Sequence, residues 1–379
     1  MNALVLAVRN LRSYVRFEHL PLVAAAAVAV TVLALVFALA PGAAVGPPPA
    51  PPAAPVAQAQ APAPAPVAPP APAVVSVAQP TVAGTFGVPA GPRAGAVTPD
   101  GTLAYVASTG TRTISVIDLA TNAVVADIPI EAGPPFHVAL TPDGSRAYVT
   151  VYDAARRAGN SVVVLDTQTR AVTATIPTDR YPYGVAVAPD GRQVYVTNHD
   201  ANLVSVIDTA SNAVVNKIAV KPTPHGIAIS GDGRRVYVAN HNSNLVTVLD
   251  PANGAVVAEI PVGRSPHSLA VSPDGSRIYA VNYDADSVSV IDPAGNTVVG
   301  TVAVQKKPQS VGFAPDGTHA YVVNGGSNSV SVIDTATSQV TATVGVGQGP
   351  TEVFLGRDGA QAYVTNINSN DVTLLDIAA

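Results

Sequence analysis

"YVTNHDANLVSVIDTASNAVV" occupies residues 195–215, and 42 residues later the chain repeats it as "YVANHNSNLVTVLDPANGAVV" at residues 237–257. A self-similar period of about 40 residues is typical of repeat architectures. The unit occurs seven times, each time with an Asp-Gly turn, a tyrosine that opens an apolar run, and an aliphatic-Asp pair. The tyrosines are Tyr105, Tyr148, Tyr195, Tyr237, Tyr279, Tyr321 and Tyr363, and the aspartates are Asp118, Asp166, Asp208, Asp250, Asp292, Asp334 and Asp376.

Each unit contains four predicted strands. Around Tyr237 they are residues 225–230, 234–240, 245–250 and 255–262, and turns rich in Asn, Asp and Gly separate them. The Val, Ile, Thr and Tyr content of these short runs indicates strands. Four strands in each of seven units predict an all-β fold, a seven-bladed β-propeller. Because the chain ends on a third strand, residues 79–92 are predicted to supply the missing outer strand and close the ring.

The repeat motif itself resembles a known family. "YVTN" stands at 195–198 and 363–366, and the variants "YVAN", "YAVN" and "YVVN" begin at 237, 279 and 321. Over residues 80–379 the chain resembles the YVTN β-propeller repeat family, which includes YncE-like bacterial surface proteins. The resemblance also extends to the propellers of amine dehydrogenase heavy chains and the nitrous oxide reductase N-terminal domain. It implies the fold, but these relatives have different roles, so it implies no single activity.

The N-terminal residues predict a membrane anchor. Three arginines in residues 1–19 precede an uncharged apolar stretch at 20–40, long enough to span a bilayer. The positive-inside rule places 1–19 in the cytoplasm and the propeller, 79–379, outside the cell membrane. Residues 41–78 are Pro/Ala-rich and uncharged, and they are predicted to form a disordered, polyproline-like linker. A cleaved signal peptide, cut after Ala44, is the alternative.

Composition excludes several classes of function. The chain has no Cys, so disulfides, thiolate nucleophiles and thiolate-held metals are absent. The net charge is −5, and residues 1–78 contribute +2 of it, which leaves about −7 on the propeller. Binding of single-stranded nucleic acid needs a basic groove, so no nucleic-acid partner is predicted. The propeller is expected to be a monomer.

Differences between the repeats identify the candidate site. Each link between blades carries a proline, and the residue that follows it varies: Arg93, Phe136, Tyr183, His225, His267, Gln309 and Thr351. These residues enter the innermost strands, so they should surround the mouth of the central channel, with His137 and Glu352 next to them. Blade two has an enlarged loop on the same face. The predicted ligand-binding set is Arg93, Phe136, His137, Tyr183, His225, His267, Gln309, Glu352, Arg156 and Arg157.

Two functions fit this face. The first is a binding platform for a cell-envelope protein or glycan, since loops on a rigid scaffold commonly carry recognition. The second is an enzyme, of metal-free lyase or lactonase type or with a metal ion held by histidines. Imidazoles suit zinc, copper and iron, and the candidate ligands are His199, His225, His241 and His267.

No nucleophile–base pair or phosphate-binding glycine loop is visible, so no catalytic residue and no cofactor is predicted. His199 and His241 are expected to lie farther from the axis than the other two histidines. His225 and His267 are expected to be dispensable for stability, because equivalent blades lack them.

Overall fold

The computed structural model describes residues 74–378. In this range 28 strands form seven four-stranded antiparallel sheets, which are the blades. The all-β, seven-bladed propeller predicted from the repeats is therefore confirmed. The predicted anchor at 20–40 and most of the predicted linker lie outside the described residues. Within 74–378 no helix is long and apolar enough to cross a membrane.

Blades one to six each use four consecutive strands, and the seventh uses β26, β27, β28 and β1. The innermost strands are β2 (Pro92–Val97), β6 (Pro135–Leu140), β10 (Pro182–Val187), β14 (Pro224–Ile229), β18 (Pro266–Val271), β22 (Pro308–Phe313) and β26 (Pro350–Leu355). The second strands are β3 (Leu103–Ser108), β7 (Arg146–Asp153), β11 (Gln193–Asn198), β15 (Val236–Asn240), β19 (Ile278–Asn282), β23 (His319–Asn324) and β27 (Gln361–Asn366).

The third strands are β4 (Thr113–Asp118), β8 (Ala158–Asp166), β12 (Leu203–Asp208), β16 (Leu245–Asp250), β20 (Ser287–Asp292), β24 (Ser329–Asp334) and β28 (Asp371–Ala378). The outer strands are β5 (Ala123–Pro129), β9 (Ala171–Pro177), β13 (Ala213–Ala219), β17 (Ala255–Pro261), β21 (Thr297–Ala303), β25 (Gln339–Gly345) and β1 (Ser76–Gly87). A single 3-10 turn, His241–Ser243, is the only helical element of the described chain.

Burial differs between the inner and outer strands in a way that explains the sequence pattern. The second and third strands of each blade are buried on both faces, because neighbouring blades cover them. Nearly continuous apolar runs result. The outer strands bury only some of their side chains and keep polar residues between them. The repeat tyrosine packs between blades; Tyr105, for example, is fully buried against Val149 and Leu165 of blade two.

The recurring polar residues serve the fold. The Nδ2 group of Asn198 donates to the Val196 carbonyl at 3.1 Å and to Ser205 Oγ on the third strand at 2.9 Å. Asn240, Asn282, Asn324 and Asn366 make the same bond to a hydroxyl on their own third strands. Asp208 accepts the backbone N–H of Ser211 at 2.8 Å, as expected of a residue that caps a turn. These residues are therefore scaffold rather than a carboxylate or amide array for catalysis.

The ring closes through the predicted N-terminal strand. β1 pairs antiparallel with β28, with Val82 opposite Leu375 and Gly87 opposite Asp371. The strand starts at Ser76, within the stretch that the sequence assigned to the linker. Ser76 is held by blade six: its backbone N–H donates to Asp316 Oδ2 at 2.7 Å, and its hydroxyl lies 2.8 Å from His319 Nδ1.

Removing the closing strand should destabilise the propeller. A chain that begins at Gly91 loses β1, which exposes the edge of β28 and part of the cluster that contains Val372 and Leu374. We expect its free energy of unfolding to fall by about 3 kcal/mol or more relative to a chain that begins at Val74, the order for exposing two aliphatic side chains. Urea unfolding of the two chains measures the difference, and equal midpoints would contradict closure by β1.

Candidate functional site

The innermost strands converge on a cavity around the propeller axis, here called the axial cavity. Its volume is about 160 Å³, and side chains from all seven blades line it. Apolar residues such as Val185 and Ile227 contribute to its wall. The polar side chains that line it are Arg93, His137, Tyr183, His225, His267, Ser268, Gln309, Ser310, Thr351 and Glu352. The structure therefore brings together seven of the ten predicted site residues, and adds Thr351 from the same sequence position.

The local backbone explains why these residues reach the cavity. In every blade except the second, the link proline pairs with the last residue of the second strand, and the register then shifts. In blade four Pro224 faces Asn240 and Ile227 faces Val238. The inner strands also approach each other closely. A Cβ atom on Gly226 would lie 2.7 Å from the Ser268 Cα, so only glycine fits there. The side chain just after the proline remains free to enter the cavity.

The carbonyl groups of these residues accept hydrogen bonds from the preceding blade. Thr150 Oγ1 donates to the Tyr183 carbonyl at 2.8 Å, and Thr197 Oγ1 donates to the His225 carbonyl at 2.7 Å. Thr365 Oγ1 donates to the Arg93 carbonyl at 2.6 Å. In these three blades a threonine of the second strand thus joins one inner strand to the next.

In blades four and five a histidine takes the place of the threonine. Blades four and five carry Ala239 and Val281 at the threonine position. There His225 Nδ1 lies 3.0 Å from the His267 carbonyl, and His267 Nδ1 lies 3.2 Å from the Gln309 carbonyl. The two imidazoles therefore connect blades as well as lining the cavity. From these contacts we expect replacement of either imidazole to lower stability, which differs from the expectation based on the sequence alone.

The same bonds fix the protonation of the two rings. A carbonyl oxygen only accepts, so Nδ1 carries the proton and Nε2 keeps a free lone pair. Burial lowers the pKa of His267 to about 3 and that of His225 well below its ordinary value, and neighbouring histidines lower the latter further. Both rings are neutral near pH 7. They lie next to Tyr183 around the axis, with tilted rings whose centroids are 3.6 Å (Tyr183–His225) and 3.7 Å (His225–His267) apart.

Two ionisable side chains of the cavity have no charged partner. The Glu352 carboxyl forms no hydrogen bond or ion pair with any residue of the described chain, and burial raises its pKa to about 8. Arg93 lies with its guanidinium carbon 4.7 Å from the centre of the Phe136 ring and forms no ion pair within residues 74–378. His137 is also neutral, because burial and then the Arg93 charge lower its pKa to about 3.

Three predicted site residues lie elsewhere. Phe136 is buried in an aromatic cluster with Tyr152, Tyr181 and Tyr183, where it supports Arg93. Arg156 and Arg157 are exposed on the enlarged hairpin loop of blade two, and neither lines the axial cavity. Arg156 instead pairs with Asp153 at 3.3 Å.

His199 and His241 lie closer to the inner histidines than expected. The His225 ring centroid is 5.8 Å from that of His199 and 5.7 Å from that of His241, while His267 stacks on Tyr283 at 5.3 Å. Even so, no group of three or more His, Asp or Glu side chains in the described range is arranged to hold a metal ion. The geometry of these residues gives a rim of aromatic rings above the cavity.

Comparisons with known families agree with this geometry. Residues 131–231 match the model of the YNCE-like β-propeller family. This match supports a β-propeller similar to those of the YncE-like family. Two further family models match parts of it: the cytochrome D1 heme domain over residues 190–310, and the seven-bladed lactonase propeller over residues 256–379.

Among solved structures, Kuenenia stuttgartiensis hydrazine synthase matches this propeller with a TM-score of 0.69 and 24% sequence identity. The match covers 76% of this chain and 96% of that chain. At this identity the likeness shows the fold alone. No curated protein matches the sequence significantly.

The propeller also has rim residues that the sequence analysis missed. Tyr152 and Tyr181 stack with ring centroids 4.1 Å apart, and Tyr181 lies 4.9 Å from His199. Tyr181 precedes the link proline and has a positive φ of 57°. Only the residues after each proline were compared between blades. A comparison of the residues before it would have shown a tyrosine among small and basic residues.

The blade-joining role of His225 predicts a specific rescue. His225→Ala removes the donor to the His267 carbonyl, and we expect a loss of about 1 kcal/mol for that bond in addition to lost packing. Ala239→Thr places the donor found in blades two, three and seven at the equivalent position. A double-mutant cycle by urea unfolding should show that Ala239→Thr stabilises the His225→Ala protein more than the parent protein. Purely additive effects would contradict this role.

Proposed function

We propose that this protein is an extracytoplasmic, membrane-anchored binding protein of the cell envelope, and that the axial cavity is its ligand site. One observation carries this proposal. The cavity collects polar groups whose hydrogen-bonding capacity the described chain leaves unused, namely the Nε2 atoms of His225 and His267 and the carboxyl of Glu352. Polar groups in such enclosed places normally have partners. A polar ligand supplies them.

The size and surroundings of the cavity indicate how a ligand is held. A volume of about 160 Å³ is close to that of an engineered cavity, about 150 Å³, that holds one benzene molecule. The enclosed part therefore takes a single small group. The rest of a larger ligand contacts the rim, where Tyr181, His199, His241 and Tyr283 present their rings. This fits an end group of a glycan or a side chain of an envelope protein.

Catalysis at the same cavity is the second candidate. The lactonase family model covers residues 256–379, which include His267, Gln309 and Glu352. A carboxylic acid whose pKa is raised to about 8 can donate a proton near neutral pH, and an imidazole Nε2 lone pair can accept one. The family model that matches residues 190–310 is likewise named for a cofactor, heme. These features support an enzyme less directly than the unused polar groups support binding.

A binding experiment separates the two candidates. The full-length protein is mixed with the small molecules and digested glycans of an envelope extract, and bound compounds are identified by mass spectrometry. We expect a bound compound that His267→Ala weakens by about tenfold, since one polar contact is lost. Arg277→Ala on the opposite face is the matched control. A compound released unchanged supports binding, whereas conversion to a new mass supports catalysis; retention of binding by His267→Ala would contradict the proposed site.

The proposed anchor has its own test. Residues 1–40 combine a basic start with an apolar stretch of spanning length, which supports retention in the membrane. We expect the protein to stay with membranes after high-salt and carbonate washes. Protease added from outside should release a propeller-sized fragment by cutting within 41–73. Recovery of a soluble form that begins near Val45 would show cleavage instead.

A further inference from the structure

We infer that the axial cavity selects a ligand bearing a carboxylate, with Arg93 as its anchor and Glu352 as the residue that admits or repels the negative charge. This inference rests on the proposed function and names the chemical class of the ligand. It follows from which charged groups line the cavity and from what each of them contacts.

Arg93 is the only Lys or Arg side chain that lines the cavity within the described chain. Its guanidinium packs on the Phe136 ring at 4.7 Å, and no acidic residue of the described range pairs with it. A guanidinium supported on an aromatic face keeps its N–H donors at its edge, where they match the two oxygens of a carboxylate. The cavity thus has a positioned, unpaired binding group for an anion.

Glu352 is the corresponding acidic residue, the one Asp or Glu that lines the cavity in residues 74–378. β26, which carries it, packs against β2, β22, β23 and β27. The charged or titratable side chains on these strands are Arg93, His319, Tyr321 and Tyr363. The Tyr363 hydroxyl donates to Gln361, and His319 Nδ1 lies beside the Ser76 hydroxyl. The titratable side chains elsewhere on the cavity wall are His137, Tyr183, His225 and His267.

The net charge of the cavity therefore depends on Glu352. Burial raises the Glu352 pKa to about 8, so the carboxyl is mostly protonated near neutral pH. The three histidines are already neutral there, since burial lowers their pKa values, and burial raises the pKa of Tyr183. Near neutral pH the cavity holds one positive charge, and above about pH 8 the Glu352 carboxylate cancels it.

The sign of the pH dependence follows. A carboxylate ligand accepts hydrogen bonds from Arg93 and from protonated Glu352, and it is repelled once Glu352 ionises. Affinity for an anion should therefore fall as pH rises through about 8. By linkage, a bound carboxylate should raise the pKa of Glu352 further.

Three probes of nearly equal shape test charge selection. Benzoate, benzamide and benzamidine carry negative, zero and positive charge, and their size suits the enclosed volume. Binding to the full-length protein is measured by ligand-observed NMR or calorimetry near pH 7. We expect benzoate to bind at least about tenfold more tightly than benzamide, and benzamidine to bind most weakly. Arg93→Gln should remove the benzoate preference, while the control Arg277→Ala should retain it.

Glu352→Gln provides an independent readout, because glutamine imitates the protonated acid and does not titrate. Benzoate affinity should fall between about pH 7 and pH 9 for the parent protein and stay constant for Glu352→Gln. A merely structural role of Glu352 would not give this pH profile. A parent affinity that does not change with pH would overturn the role assigned to Glu352.

The inference is overturned if benzamidine or benzamide binds as tightly as benzoate, or if the preference for benzoate survives Arg93→Gln. In that case the proposed function still stands when an envelope compound binds in a manner sensitive to His267→Ala. If no envelope compound and none of the three probes binds, the proposed function fails and this inference fails with it.

Discussion

Pairing between β1 and β28 joins the first and last strands of the propeller. The contacts between neighbouring blades depend on a ring that is closed in this way. Each blade buries its inner strands only because a neighbour covers both faces, so a ring open at one point would expose strands in blades seven and one together. Closure also brings the seven inner strands to a common axis, which creates the axial cavity. Ser76, held by Asp316 and His319 of blade six, fixes the start of the closing strand. The site on one face thus depends on contacts made at the other.

The fold could be predicted from the sequence because its determinants are local and recur seven times. Tyrosines between blades, Asp-Gly turns and apolar runs repeat in register. The last unit has three strands, which indicated that residues before the first unit pair with it as its fourth strand. Most of the polar residues that line the axial cavity could be predicted for a similar reason. The side chain after each link proline differs between blades, and this variation marked residues that line the cavity, such as Arg93, Tyr183 and Gln309. Glu352 lies one position further along its strand.

What could not be predicted depends on backbone atoms and on burial. The donors to the His267 and Gln309 carbonyls are imidazoles, but any residue supplies a carbonyl, so no sequence pattern records these bonds. Threonine in some blades and histidine in others contact equivalent carbonyl groups of the next inner strand. This equivalence is visible only in the structure. Phe136 was predicted to contact ligand because it follows a link proline, yet the other rings of blades two and three enclose it. The unpaired state of Glu352 likewise depends on neighbours from distant parts of the chain.

The point at which the chain enters the propeller distinguishes its two faces. Val74 donates its backbone N–H to the Asp358 carbonyl, and Ser76 binds Asp316; both aspartates belong to Asp-Gly turns. These turns follow the inner strands, whereas the cavity-lining residues stand at the beginning of those strands. The chain therefore enters the propeller at the face opposite the cavity. The rim of aromatic rings, which lies beside the cavity, is therefore on the face away from this entry point.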